Sequence, residues 1–463
     1  EAKTFGWNFQ EAEDSGKLIL LKITPGQLIE DLHSDSGVLT DAIKKIGAKR
    51  VVIDGLTPLR QLVEGVRPGG YREAIHELYE KLRSLDVTGM LTTEAINSQQ
   101  LGETGTQQEH YICDTIITLR KEAQRRNVNR SLEVSKSRGQ DYVAGRNSFR
   151  IVQNEGLRVF VRAYARERLT PPVPATNERV SVGIPVLEEM LGGGVYCGSS
   201  TLMIGVSGTG KTVAAMHFLA EGVKRGEKGL FITLDETPGS FCRNASSLGF
   251  DIAEHVENGN ILISYESPLE LDLDEHFAIV AEAIKKSGVK RVVIDSLAAY
   301  EMILPKESHE FLFAMSSYLK SQGITSMYNY ECPEMIGVSN LGQDLKASSI
   351  ADNIVLMNFV EISTHLRRAI TVSKCHGPAT EEQTREFVIR KGAGITLLDE
   401  STVPNSDRVP QLPLSSYYGV LARSPTRHSP IIDEHVASGK PMPKSRVPKP
   451  AKAAKLKTNS LKQ

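Results

Sequence analysis

The stretch Thr201-Leu202-Met203-Ile204-Gly205-Val206-Ser207-Gly208-Thr209-Gly210-Lys211-Thr212 decides the fold. Thr201 to Val206 is an apolar run of strand character. Lys211 to Lys224 then places Val213, Met216, Phe218 and Leu219 at helical spacing. Between strand and helix lies a glycine-rich turn, Gly205-Val206-Ser207-Gly208-Thr209-Gly210-Lys211-Thr212. Such a turn gathers backbone N–H groups around an anion at the positive end of a helix. Gly205, Gly208 and Gly210 leave the backbone free to take the required angles. Lys211 brings an ammonium to the outer phosphates, and the Thr212 hydroxyl is placed to ligate Mg²⁺. A full-length phosphate loop in this strand-to-helix setting points to ATP and Mg²⁺ as cofactors.

Working outward, Gly229 to Leu234, Arg291 to Ile294 and Ile324 to Tyr330 read as further strands separated by helical stretches. This alternation predicts an α/β domain with a mainly parallel sheet covered on both faces. Asn353 to Ile362 and Arg367 to Ser373 have no helix between them and predict an antiparallel edge. Asp295 closes the strand Val292-Val293-Ile294, where the second Mg²⁺ anchor of a phosphate-loop site is expected; its alternative is to cap the next segment. Asp235 and Glu236 follow the second strand and suit activation of an attacking water or hydroxyl. Lys374 stands at a strand end, either solvated or as a cation that reaches a neighbour's γ-phosphate.

The chain also repeats itself. Ala42-Ile43-Lys44-Lys45-Ile46-Gly47-Ala48-Lys49-Arg50-Val51-Val52-Ile53-Asp54 recurs as Ala283-Ile284-Lys285-Lys286-Ser287-Gly288-Val289-Lys290-Arg291-Val292-Val293-Ile294-Asp295. Each copy reads as a helix end, a Gly stop and a strand closing on Asp. Phe5-Gly6-Trp7 echoes Leu248-Gly249-Phe250, Asp114-Thr115-Ile116-Ile117 echoes Asp352-Asn353-Ile354-Val355, and Lys136-Ser137-Arg138-Gly139 echoes Lys374-Cys375-His376-Gly377. Two copies of one domain follow. Glu1 matches about Asn244, so the first copy has no counterpart of the phosphate loop; the simplest expectation is a first domain lacking its opening strands. We divide the chain into a first domain at 1–167, a linker at 168–178 carrying Pro171-Pro172-Val173-Pro174, a second domain at 179–399 and a tail at 400–463.

Bulk composition excludes little. The net charge of -1 sets up no global field toward nucleic acid or acidic membranes. From Pro404 onward there are eleven Lys/Arg against three acids, with much Pro and Ser, which predicts a disordered basic tail. No apolar run approaches the roughly 18 residues of a membrane span. The five cysteines, Cys113, Cys197, Cys242, Cys332 and Cys375, show no paired spacing, as expected of reduced thiols in a cytoplasmic protein.

The segment Val180-Ser181-Val182-Gly183-Ile184-Pro185-Val186-Leu187-Glu188-Glu189-Met190-Leu191-Gly192-Gly193-Gly194, with the phosphate loop, Asp235-Glu236 and Asp295 after it, resembles the KaiC family of RecA/RadA-like ATPases. The resemblance covers about residues 1 to 398. It implies tandem RecA-like P-loop domains, a homo-hexamer with ATP at subunit interfaces, slow hydrolysis and, in some members, Ser/Thr autokinase activity with regulatory protein partners. It assigns catalysis to Asp235, where the family usually has Glu, and to Glu236. Lys374 becomes a trans-acting cation, with His376 in place of the usual Arg. The family's adjacent hydroxyl residues fall on Ser348 and Ser349, which are otherwise a strand cap; the first copy has His110 and Tyr111 there. A RecA/RadA-type DNA-binding ATPase is a competing reading. The loop Glu331 to Lys346 holds Glu331, Glu334 and Asp344 against one Lys, which argues against nucleic acid. The stretch Arg120, Lys121, Arg125, Arg126 and Arg130 reads as a solvated hairpin. A third reading is a scaffold that binds ATP only to assemble.

Overall fold

The computed structural model describes residues 2–67, 70–94, 109–124, 127–162, 176–332, 346–362, 365–375 and 384–398. The tail at 400–463, most of the linker, His376, Arg125, Arg126 and the greater part of the Glu331–Lys346 loop lie outside these described residues. All described elements fall in one compact unit. Its strands in chain order are β1 (Arg50–Asp54), β2 (Thr88–Thr92), β3 (Thr115–Gln124), β4 (Asn127–Ser137), β5 (Arg146–Val152), β6 (Gly156–Phe160), β7 (Arg179–Val180), β8 (Val195–Tyr196), β9 (Ser200–Gly205), β10 (Gly229–Thr233), β11 (Ile261–Tyr265), β12 (Arg291–Asp295), β13 (Thr325–Glu331), β14 (Asn353–Ile362), β15 (His365–Lys374), β16 (Thr384–Arg390) and β17 (Gly394–Leu397).

The second copy builds a nine-stranded sheet in the order β11-β10-β12-β13-β9-β14-β15-β16-β17. The six strands from β11 to β14 pair in parallel, and β14 to β17 pair antiparallel. The sheet is therefore mixed, with the antiparallel edge where the sequence lacks crossover helices. Both faces are buried. One face packs Leu202, Ile232, Ile294 and Tyr328 against Phe277, Tyr300, Phe311 and Met315. The other packs Met203, Phe231, Val293, Met327 and Met357 against Ala214, Ala215, Phe218 and Leu219 of the helix Lys211–Lys224.

The first copy repeats this architecture in part. β1 to β6 correspond to β12 to β17, and the equivalence extends to detail. The β3–β4 register shifts between Ile116 and Ile117, and the β14–β15 register shifts at the matching pair Ile354 and Val355. The helices before β1 and β12 both end on a left-handed glycine, Gly47 at φ 59° and Gly288 at φ 67°.

A mainly parallel central sheet holds for the second copy and not for the first. There the strands separate into a parallel pair, β1-β2, and an antiparallel four-stranded sheet, β3-β4-β5-β6. The physical reason lies in β9, which stands between β13 and β14 in the second copy; among the described residues the first copy has no strand to bridge β2 and β3. Its core is accordingly one-sided. Leu56, Leu59, Tyr71, Ile75 and Leu78 bury one face. On the other, Val52, Met90, Ile117 and Leu119 are 63%, 59%, 54% and 52% exposed, while their counterparts Val293, Met327, Val355 and Met357 are fully buried beneath the helix Lys211–Lys224.

Candidate active site

The phosphate loop joins β9 to the helix Lys211–Lys224. Gly208 and Gly210 adopt φ of +81° and +111°, a region that side chains disfavour. Gly205 is required for a different reason: a Cβ there would stand 2.2 Å from the Met357 carbonyl oxygen of β14. Thr209 is buried and donates to the Val206 carbonyl at 2.9 Å. Lys211 is buried, and its Nζ donates to the carbonyls of Gly205 and Val206 at 2.8 and 2.9 Å, which holds the ammonium inside the loop. Burial lowers its pKa, and the carboxylates of Glu331 and Asp295 work against that shift.

Thr212 Oγ1 donates to Asp295 Oδ2 at 2.8 Å, so the two expected metal ligands already touch across the strand–helix interface. Burial pushes the Asp295 carboxyl up; the Thr212 hydroxyl, the neighbouring Asn329 amide and the Lys211 charge pull it back. Asp235 and Glu236 turn away from β10 together, both backbone N–H groups donating to Thr233 Oγ1 at 3.3 and 3.1 Å. Burial, then the Glu331 charge, raises the Asp235 pKa, which makes it the better base of an ordinary Asp. Glu236 Oε1 accepts from Asn244 Nδ2 at 2.6 Å and is thereby oriented.

Lys374, Ser348 and Ser349 stand elsewhere. The 3₁₀ turn Lys346–Ser349 leads into β14, and β14 runs parallel to β9 with Asn353 opposite Thr201. The segment after the serines is fixed to the start of β9: Ser200 Oγ donates to the Ile350 carbonyl at 2.8 Å, and Asp352 Oδ2 accepts from Ser200 N at 2.8 Å. Lys374 Nζ donates to the Ala351 carbonyl at 2.7 Å, close to the same turn. The phosphate loop leaves the opposite end of β9. Five strand rises of about 3.3 Å separate the two ends by roughly 16 Å. The loop, Thr212, Asp295, Asp235 and Glu236 therefore gather at one edge of the sheet, and Lys374 with the two serines at the other.

Two residues of this region were not legible as site residues. Arg368 on β15 donates through Nε and Nη2 to the Gly208 carbonyl, 3.2 Å each, and its guanidinium lies 5.3 Å from the Phe359 ring centre. Its signal was the repeat, since Arg130 holds the matching place six residues before Lys136. Asn329 is the other, a fully buried amide on β13 opposite Asp295. Of the basic stretch, Arg120 pairs with Glu133 at 3.5 Å. Among the described residues no cluster of three or more His, Cys, Asp or Glu could hold a metal, and no helix is long and apolar enough to cross a membrane.

This geometry defines a P-loop ATPase-like α/β protein with tandem copies. The chain belongs to the KaiC family: the family described as "ATPase: KaiC" matches residues 1–164 and 180–402. It is similar to the circadian clock oscillator protein KaiC of Thermostichus vulcanus, 32% identical over 442 residues, covering 94% of this chain and 80% of the relative. It is similar to the protein of the same name from Picosynechococcus sp., 30% identical over 434 residues, with 92% and 80% covered. The Nostoc sp. protein of that name is 31% identical over 441 residues, with 94% and 80% covered.

Proposed function

We propose that the second copy binds Mg-ATP and hydrolyses it slowly. The observation that carries this reading is the contact of Thr212 with Asp295 at the foot of a complete phosphate loop. The residues fit the ligand. Gly205 to Thr212 would cradle the phosphates, Lys211 would exchange its two carbonyl partners for phosphate oxygens, and Thr212 with Asp295 would hold Mg²⁺, which supplies charge neutralisation. Glu236 takes the proton of a water attacking the γ-phosphorus as the bond to the bridging oxygen breaks.

The protein further acts as a regulatory homo-hexamer with Ser/Thr autokinase activity. Support comes from the roughly 16 Å between Ser348-Ser349 and their own phosphate loop, which no side chain spans. Transfer then requires a neighbour's nucleotide, with the serine proton passing to that neighbour's Asp235 and Lys374 meeting the transferring charge. This assembly would operate in the cytoplasm, without nucleic acid. Phosphate release tests the hydrolytic reading: Lys211→Ala is expected to abolish nucleotide binding, and Glu236→Gln to keep binding and lose turnover. Equal release by wild type and both variants refutes it. Binding without release, in the wild type, leaves the assembly scaffold.

A further inference from the structure

Four neighbouring strands present a row of paired residues at the catalytic edge: Thr233 on β10, Asp295 on β12, Asn329 on β13 and Met203 on β9. Paired residues of parallel strands point to the same face, so Asn329 stands beside Asp295 on the side where Thr212 meets it. Thr233 has a task, capping the Asp235-Glu236 turn. Asn329 has none visible. Its side chain is 0% exposed, and neither Nδ2 nor Oδ1 makes a well-formed hydrogen bond, although the amide lies near enough to Asp295 to pull its carboxyl down. Leaving both ends of a buried amide unpaired is costly, and a native structure gives such a group a reason.

The first copy indicates the reason. Thr92 holds the place of Asn329, and its hydroxyl donates to Asp54, the counterpart of Asp295. Both copies therefore put a polar side chain from the neighbouring strand beside the strand-closing carboxylate. Asn is the richer choice, since one amide carries donors and an acceptor together.

Building on the proposed Mg-ATP site, we propose that Asn329 is a positioning residue of the metal site: its amide N–H groups would fix the Asp295 carboxylate, which with Thr212 would hold the metal. The pattern is that of a carboxylate ligand oriented by a hydrogen bond from behind, whose loss weakens metal binding about 10–100-fold. A purely structural Asn would act on stability instead.

The test measures Mn²⁺ binding by electron paramagnetic resonance, in the full chain with a non-hydrolysable ATP analogue. Asn329→Val is expected to weaken Mn²⁺ binding at least about tenfold. Asn329→Thr, which installs the first copy's hydroxyl, is expected to recover most of that loss. In metal-free, nucleotide-free protein the Val variant should melt no lower than wild type, because it removes a buried amide that makes no well-formed hydrogen bond. Unchanged Mn²⁺ affinity in Asn329→Val overturns the inference while leaving the Mg-ATP reading intact, and so does a Thr variant as weak as the Val variant. Wild type that binds no Mn²⁺–nucleotide overturns both.

Discussion

Gly205 and His217 show what single residues contribute. Any side chain at 205 would enter the Met357 carbonyl, so Gly205→Ala forces β9 and β14 apart at the root of the phosphate loop. The expected cost is about 1–3 kcal/mol, typical of overpacking, with loss of nucleotide binding; thermal melting and binding of a fluorescent nucleotide check both. His217 acts differently. Its Nε2 accepts from the Ile395 N–H at 2.9 Å, which ties β17 to the helix Lys211–Lys224 and requires the neutral ring. Burial, opposed mainly by a backbone hydrogen bond with Gly183, depresses its pKa to about 4 from an ordinary 6.5. Between those values the unfolded chain binds a proton that the folded one refuses, so stability falls as pH drops from about 6.5 to about 4 and is constant on either side. The shift corresponds to roughly 3 kcal/mol. Urea midpoints measured at pH 7 and pH 5 are expected to show the loss in the wild type and a flattened profile in His217→Gln, which keeps an acceptor and does not titrate.

Elements explain what the sequence could and could not disclose. Six strands of the second copy and its antiparallel edge were legible from strand–helix alternation and the missing crossover after β14, whereas β11, β16, β17 and the order of the strands emerge only from the assembled sheet. Thr212 and Asp295 were each expected at one site from the motif and its strand, and the fold brings them into contact. Arg368 and Asn329 were not, since the contact of Arg368 with the Gly208 carbonyl and the pairing of Asn329 with Asp295 exist only in the assembled sheet. The limit is sharpest for Arg-Val-Val-Ile-Asp, identical in β1 and β12. In β12 its first four residues are buried; in β1 only Val51 is. The pentapeptide specifies a strand, and burial depends on which elements cover it. Strand length also decides how phosphate could move. Because β9 separates Ser348-Ser349 from their own loop, a Lys211→Ala chain with intact serines should be phosphorylated only when mixed with Ser348→Ala/Ser349→Ala chains that bind ATP. Phosphosite mass spectrometry on the mixture reads this, and incorporation in isolated wild-type monomers would contradict transfer between subunits.

At the scale of the molecule the two copies differ in how completely they are packed. Burying an aliphatic or Met side chain contributes about 1.5–3 kcal/mol, and Val52, Met90, Ile117 and Leu119 forgo much of that while their counterparts do not. Several kcal/mol is a large fraction of an ordinary domain's stability. Two polar contacts between the copies are weak. Arg150 pairs with Glu275, but at 56% side-chain exposure of the Arg such a pair contributes about 0–1 kcal/mol. Ser148 N donates to Asp274 at a long 3.3 Å. With these faces uncovered in this chain, the first copy is expected to unfold first. The chain carries its own reporter, because its single tryptophan, Trp7, lies in the first copy between Phe5 and Phe9, with ring centres 5.3 and 6.3 Å away. In a urea titration the Trp7 fluorescence transition is expected to precede the main loss of far-ultraviolet circular dichroism, which the larger and two-sided second copy dominates. Mg-ATP should move the dichroism midpoint upward, since the phosphate loop Gly205 to Thr212 lies in the second copy. Coincident transitions by both probes, shifting together with nucleotide, would show one cooperative unit and refute the separation.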